Sequence, residues 1–292
     1  MRRLAVFVSV CTLATGCLSW QSGFKDPVVP EGKILAQDTS ALMEKAASLS
    51  LVADNREKVE EIIGLYASAL AKNPADYDAL VAMANLKLLI GAAYAQSTAE
   101  TAEVFIDSIR LNERAMYTNP EFRRRVDEGQ TVWEASDALT IREIDAAGFW
   151  VTGIFYYYRH VFGKTARMFN SKWIMRAKTV MEHMDKLDPE WGGGALYFTW
   201  GLLYHAMPSF AGGDKARATE FFAKSVETGP KIIRNRWIRA KYFYPVIGDT
   251  KALNEEIEWI LRQDPKNDGG YAQWNYFFIA DAKMMQAELN SR

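Results

Sequence analysis

The chain has 2 cysteines and 3 histidines in 292 residues, too few for most thiol or metal chemistry. Both cysteines, Cys11 and Cys17, lie near the N-terminus, so no disulfide framework can hold the remainder together. His160, His183 and His205 show no His-x-x-x-His spacing, and no metal-ligand motif remains. A nucleophile elbow, Gly-x-Ser-x-Gly, is missing too. Nor is there an excess of one charge: 35 basic against 36 acidic side chains give a formal net charge of −1, and no long-range field for nucleic acid follows. After residue 40 the alternation that marks strands is rare, while 3.6-residue periods are common. These absences lead to the expectation of an all-α protein that is not an enzyme, needs no cofactor or metal, and binds no nucleic acid. What is abundant is apolar surface, 49% of residues, with 13% aromatic.

The N-terminus has the layout of a secretory signal. Arg2 and Arg3 precede an apolar stretch from Leu4 to Leu13, too short to span a bilayer as a permanent helix. Ala14-Thr15-Gly16-Cys17 resembles a bacterial lipobox, although Ala14 stands where Leu is more usual. That resemblance implies cleavage before Cys17 and lipidation of its thiol. With Cys11 removed, Cys17 is the sole thiol left, and lipidation explains a cysteine without a disulfide partner. Leu18 rather than Asp after the cysteine implies sorting to the periplasmic side of the outer membrane, with the inner membrane less expected. The expected division is residues 1–16 as signal, 17–38 as lipidated cysteine and flexible tether carrying Gly23, Pro27, Pro30 and Gly32, and 39–292 as the folded domain. Thr39-Ser40 is an N-cap candidate, with Glu44 placed for a capping box.

One phrase recurs along the domain: apolar or small residues at i, i+4 and i+7, then proline five residues on. It appears as Ile62, Tyr66, Ala69, Pro74; as Ser108, Asn112, Ala115, Pro120; as Ala177, Met181, Met184, Pro189; as Ala218, Phe222, Ser225, Pro230; and as Leu253, Ile257, Ile260, Pro265. The first three positions share a helix face, and proline marks where that helix has ended. The prolines are spaced 46, 69, 41 and 35 residues apart, close to one or two units of a tetratricopeptide repeat (TPR), with insertions. The phrase resembles the second helix of such a repeat, and Trp200-Gly201-Leu202-Leu203-Tyr204 resembles the first. The expected fold is a TPR-like superhelix of about ten to twelve helices in five or six hairpins. An irregular bundle of helices ended by proline is the other reading.

A narrower resemblance covers residues 145–230. Leu187-Asp188-Pro189-Glu190-Trp191-Gly192-Gly193-Gly194-Ala195 is followed by Gly201 and Tyr204, then by Pro208-Ser209-Phe210-Ala211-Gly212-Gly213-Asp214 and Phe221-Phe222. This resembles the TRAP-transporter-associated T-component (TatT) lipoproteins, with the Pro-x-x-x-Gly-Gly-Asp loop between TPR helices. Gly148-Phe149-Trp150 agrees, and more loosely Asn275 and Ala280. The resemblance implies a periplasm-facing lipoprotein, homo-oligomeric and trimeric. It also implies docking to the periplasmic solute-binding protein of a tripartite ATP-independent transporter, with a small hydrophobic or carboxylate ligand in a cleft. A TPR scaffold that assembles outer-membrane or secretion machinery is the alternative.

Candidate residues follow. Pro208, Gly212, Gly213 and Asp214 read as a structural loop, with Asp214 capping a helix that begins near Lys215. A phosphate loop is excluded because Lys215 is followed by Ala216 and a helix precedes the glycines. Consecutive tyrosines cannot all face one core, so some aromatics must line a cleft or an interface. Trp150, Tyr157, Trp200, Tyr204 and His205 are the cleft candidates. In the basic stretch from Lys231 to Lys241, the apolar stripe Ile233, Trp237, Ala240, Tyr244 leaves the cations mostly on the outer face. Arg234, Arg236 and Arg239 there are candidates for docking an acidic partner, against the alternative of a merely solvated face.

Overall fold

Short polar side chains start six of the helices among the described residues. The computed structural model describes residues 18–25, 38–266 and 269–291. Asn55, Asp76, Ser97, Asn119, Asp214 and Asp249 each accept a backbone N–H from the first turn they precede. Each such cap contributes about 1 kcal/mol. The helices are α1 (Ser40–Ser50), α2 (Arg56–Lys72), α3 (Tyr77–Leu89), α4 (Thr98–Met116), α5 (Pro120–Asp127), α6 (Val132–Ala135), α7 (Ile144–His160) and α8 (Lys164–Phe169). They continue as α9 (Ser171–Leu187), α10 (Trp191–Ala206), α11 (Lys215–Thr228), α12 (Ile233–Ile238), α13 (Tyr244–Ile247), α14 (Thr250–Leu261) and α15 (Ala272–Asn290). Two π turns extend them: Ile90–Tyr94 prolongs α3, and Arg239–Phe243 joins α12 to α13. No strand occurs among the described residues.

The all-α, TPR-like superhelix is the fold observed, with fifteen α-helices among the described residues where ten to twelve were expected, because short ones such as α6, α8 and α13 interrupt the repeats. Its hairpins are α1/α2, α3/α4, α7/α9, α10/α11 and the broken helix α12–α13 with α14. All fifteen apolar or small positions of the recurring phrase are buried, and they fall on α2, α4, α9, α11 and α14, the second helix of each hairpin. The two polar ones on α4 are served locally: Ser108 Oγ donates to the Ala84 carbonyl at 2.8 Å, and Asn112 Nδ2 to the Ser108 carbonyl at 3.0 Å. The 69-residue spacing holds one hairpin, α7/α9, and the short helices α5, α6 and α8 take the place of a second. The last helix, α15, folds back: Trp274 Nε1 donates to Asn85 Oδ1 on α3 at 2.9 Å, 189 residues away. It also packs on α12 and α14, so the inner face of the superhelix is closed over.

Two expectations near the N-terminus change. Thr39 makes no side-chain cap; Asp38 Oδ1 instead accepts from Ser40 N at 2.9 Å. Residues 18–25, read as part of a tether, are fastened to the body. Leu18 is buried, its N–H donating to Asn170 Oδ1 at 2.7 Å and its carbonyl accepting from Trp173 Nε1 at 3.0 Å. Trp20 packs on Trp173 with ring centroids 4.5 Å apart. Gly23 lies against α4 so closely that a Cβ would stand 2.0 Å from the Arg110 carbonyl oxygen. The reason the sequence misled is composition: glycine near two prolines reads as a linker, while tertiary contacts, invisible locally, decide burial. Residues 1–16, read as a signal, Cys17 and residues 26–37 lie outside the described residues.

Candidate functional site

Closure by α15 leaves a cavity of about 750 Å³ inside the superhelix. α7 contributes Phe149, Thr152, Tyr156 and Arg159, one helical stripe, together with Phe155. Ala195, Thr199, Leu202 and Ala206 make the matching stripe on α10, with Phe198 and His205 beside it. Trp274 and Phe278 come from α15, and Lys241 and Tyr242 from the π turn after α12. Its mouth includes the exposed side chains of Met175, Val246 and Tyr271. The size and the aromatic wall suit an organic molecule of moderate size.

The polar groups of that wall are lopsided. Arg159, Arg167, Arg234 and Lys241 line the cavity, and no Asp or Glu does. All four cations are engaged, only Lys241 by a carboxylate among the described residues. Lys241 Nζ is 2.8 Å from Asp281 Oδ1. Arg167 Nε donates to the Tyr158 carbonyl at 3.1 Å, and the Arg159 guanidinium lies 4.2 Å from the Tyr242 ring centroid. Arg234 differs. It donates to the Gly192 carbonyl and, at 3.4 Å, to Asn235 Oδ1. Its Nε has no partner and it has no carboxylate partner among the described residues. Burial pushes its guanidinium down to about 10, with the Tyr271 and Tyr156 phenols opposing. It is half-buried and lines the cavity. Burial likewise raises the Tyr156 phenol. His205 Nδ1 also lacks a partner among the described residues, and burial lowers its imidazole.

The backbone that holds Arg234 is a run of three glycines at the start of α10. Gly192, Gly193 and Gly194 have φ of 61°, 63° and 89°, a left-handed run that only glycine adopts readily. This turns the Gly192 carbonyl to Arg234 and the Gly193 carbonyl to Asn235 Nδ2, at 2.8 Å. Asn235 Nδ2 also donates to the Ser225 carbonyl at 2.8 Å, tying α10, α11 and α12 together behind the cavity.

Of the cleft candidates read from the sequence, only His205 lines the cavity. Trp150 is wholly buried in the core, its Nε1 donating to Glu113 Oε1 at 3.2 Å. Tyr157 packs edge-on to Phe162, with centroids 5.1 Å apart. Trp200 and Tyr204 stack with Phe221 on the far side of α10. Phe149, Phe155, Tyr156, Tyr158, Phe198, Tyr242, Tyr271 and Trp274 line it instead. Their helical phase was available in the sequence on α7 and α10, yet phase does not say which apolar face meets core and which meets empty space.

The structural loop reads as expected at Asp214, whose Oδ1 accepts from Ala216 N and Arg217 N at 3.0 Å. Gly212 has φ of 97°, and a Cβ on Gly213 would fall 1.8 Å from the Met207 carbonyl oxygen. Pro208 and Ala211 of the loop reach the cavity rim. The three arginines read as a docking patch do not share one outer face. Arg234 faces the cavity, while Arg236 Nη1 pairs with buried Glu256 at 3.0 Å and Arg239 pairs with the same carboxylate. A carboxylate 17 to 20 residues away recruits these arginines inward, which a single-helix pattern cannot reveal. Among the described residues no three His, Cys, Asp or Glu side chains gather as a metal site, and no helix is long and apolar enough to cross a membrane.

Comparison with known proteins gives the same outline. Residues 66–289 match the family described as TRAP transporter T-component. A thermophilic TPR protein of Thermus thermophilus, known from its crystal structure, superposes with a TM-score of 0.51 at 15% identity, covering 85% of this chain and 100% of that one. That likeness shows the fold alone. No curated protein matches the chain.

Proposed function

Because this chain belongs to the TRAP transporter T-component family, we propose that it is a non-enzymatic, periplasm-facing accessory of a tripartite ATP-independent transporter. It docks the system's solute-binding protein, as a trimer held to the outer membrane through acylated Cys17, and holds a small ligand in the cavity. The ligand has an apolar body and a single carboxylate-like head. Arg234 carries this reading: a half-buried guanidinium without a carboxylate partner among the described residues, at a largely apolar cavity. An enclosed charge is costly until an opposite charge meets it. The aromatic wall supplies the apolar contact, and the unpartnered His205 Nδ1 offers a second polar handle. A scaffold that reads extended peptides would need an open concave face, which α15 covers here.

The deciding experiment is native mass spectrometry of protein purified from its own host, with and without Arg234→Gln. A trimer carrying a non-covalent anionic amphiphile is expected. The variant should keep its melting temperature and bind that ligand about 10- to 100-fold more weakly, the loss of one charge-assisted hydrogen bond. An empty cavity in every gently purified preparation, or equal occupancy in the variant, overturns the ligand reading.

A further inference from the structure

Residues 18–25 fix the start of the described body at one place. Leu18 is clamped between Asn170 and Trp173, through its N–H and its carbonyl. Cys17 is bonded to Leu18, and consecutive Cα atoms are about 3.8 Å apart. The described chain thus starts, one residue after Cys17, at the α8–α9 junction.

The surface at that junction has its own character. α8 buries none of its six residues. Met168 and Phe169 are 68% and 66% exposed and directly precede Asn170; Met175, on the next turns of α9, is 47% exposed. Lys164 and Lys172 flank them, both exposed. Apolar side chains between cations suit the interface of an anionic bilayer. Arg167, Ser171 and Met175 of the same face line the cavity.

We infer that the α8–α9 face lies against the lipid bilayer that holds Cys17, with Met168 and Phe169 in the headgroup region, so that the cavity opens beside the lipid surface. This rests on the lipidation of Cys17. The occupant is the bilayer because the chain outside the described body begins one residue from Leu18, at this face. Acyl anchoring and interfacial side chains then act together, as durable attachment of peripheral proteins requires. An amphiphile bound at Arg234 would enter from lipid rather than through water.

The test uses the processed protein with one added thiol, Phe169→Cys or Met168→Cys, labelled with bimane and reconstituted into phosphatidylethanolamine–phosphatidylglycerol vesicles. Controls are Leu51→Cys and Met284→Cys, at positions 54% and 57% exposed elsewhere. Doxyl-labelled lipid should remove most of the fluorescence at 168 and 169 and none at 51 or 284. Protein that floats with vesicles yet is unquenched at 168 and 169 overturns the membrane face and leaves the lipid anchor standing. A label that is blue-shifted but unquenched means that a second copy or another protein covers the face, and overturns it equally. Protein that does not float overturns the anchor and the inference together.

Discussion

Glu113 is a carboxylate with almost no access to water, held by three N–H donors: Trp20 Nε1 at 3.0 Å, Gly23 N at 2.7 Å and Trp150 Nε1 at 3.2 Å. Burial outweighs those donors and pushes its carboxyl up to about 7. A folded-state value above the ordinary 4.5 means that its favourable contribution is complete below about pH 4.5 and is lost as pH rises through about 7. The size is on the order of 3 kcal/mol. Melting temperatures of the native chain and Glu113→Gln, at pH 5 and pH 8, should therefore differ in slope, the native chain losing more between the two. Identical pH dependence would mean that Glu113 is already ionised well below pH 7. The same carboxylate ties residues 20 and 23 to α4 and α7, so a chain beginning at residue 26 should melt lower than one beginning at residue 18. Glu113→Leu should recover part of that deficit, because it removes the stranded charge.

Glycine at element boundaries decides how helices meet. Gly194 sits at φ of 89°, and a Cβ there would lie 2.6 Å from the Ser225 carbonyl oxygen. Gly194→Ala should cost about 1–2 kcal/mol for the left-handed backbone, and more for the clash. It should also weaken ligand retention, because the neighbouring carbonyls hold Arg234 and Asn235. Gly64 is the contrasting case: it lies within α2, with nothing within 4 Å of its Cβ position. Gly64→Ala should stabilise by about 0.5–1 kcal/mol. Chemical denaturation of both variants checks the pair, and a fall in stability for Gly64→Ala would contradict the open geometry around α2.

At the scale of the whole molecule, α15 makes a container of what would otherwise be an open superhelix. Trp274 is its pivot: it bonds Asn85, stacks on Phe278 at 5.6 Å and lines the cavity. Trp274→Ala should destabilise by about 3–5 kcal/mol. It should also raise amide exchange in α15 before the rest of the chain, since the helix loses its contact to α3. Uniform exchange in the variant would mean that α15 is held by α12 and α14 alone.

The sequence by itself determined the all-α class and the second helix of each hairpin. The five recurring phrases placed α2, α4, α9, α11 and α14, because burial of one face at i, i+4 and i+7 is a property of local spacing. The cap at Asp214 was equally legible, since a carboxylate before a helix acts on the next two or three residues. The lining of the cavity was not, because Tyr156 and Tyr157 differ only in which neighbour the superhelix brings against them. The inward arginines were hidden for the same reason: Glu256 lies on another helix, and only the packing of α14 reveals that Arg236 and Arg239 pair with a carboxylate while Arg234 lines the cavity. Closure by α15 depends on a hydrogen bond spanning 189 residues. Helical period is written along the chain, whereas the boundary between core and cavity is set by the curvature of the finished array.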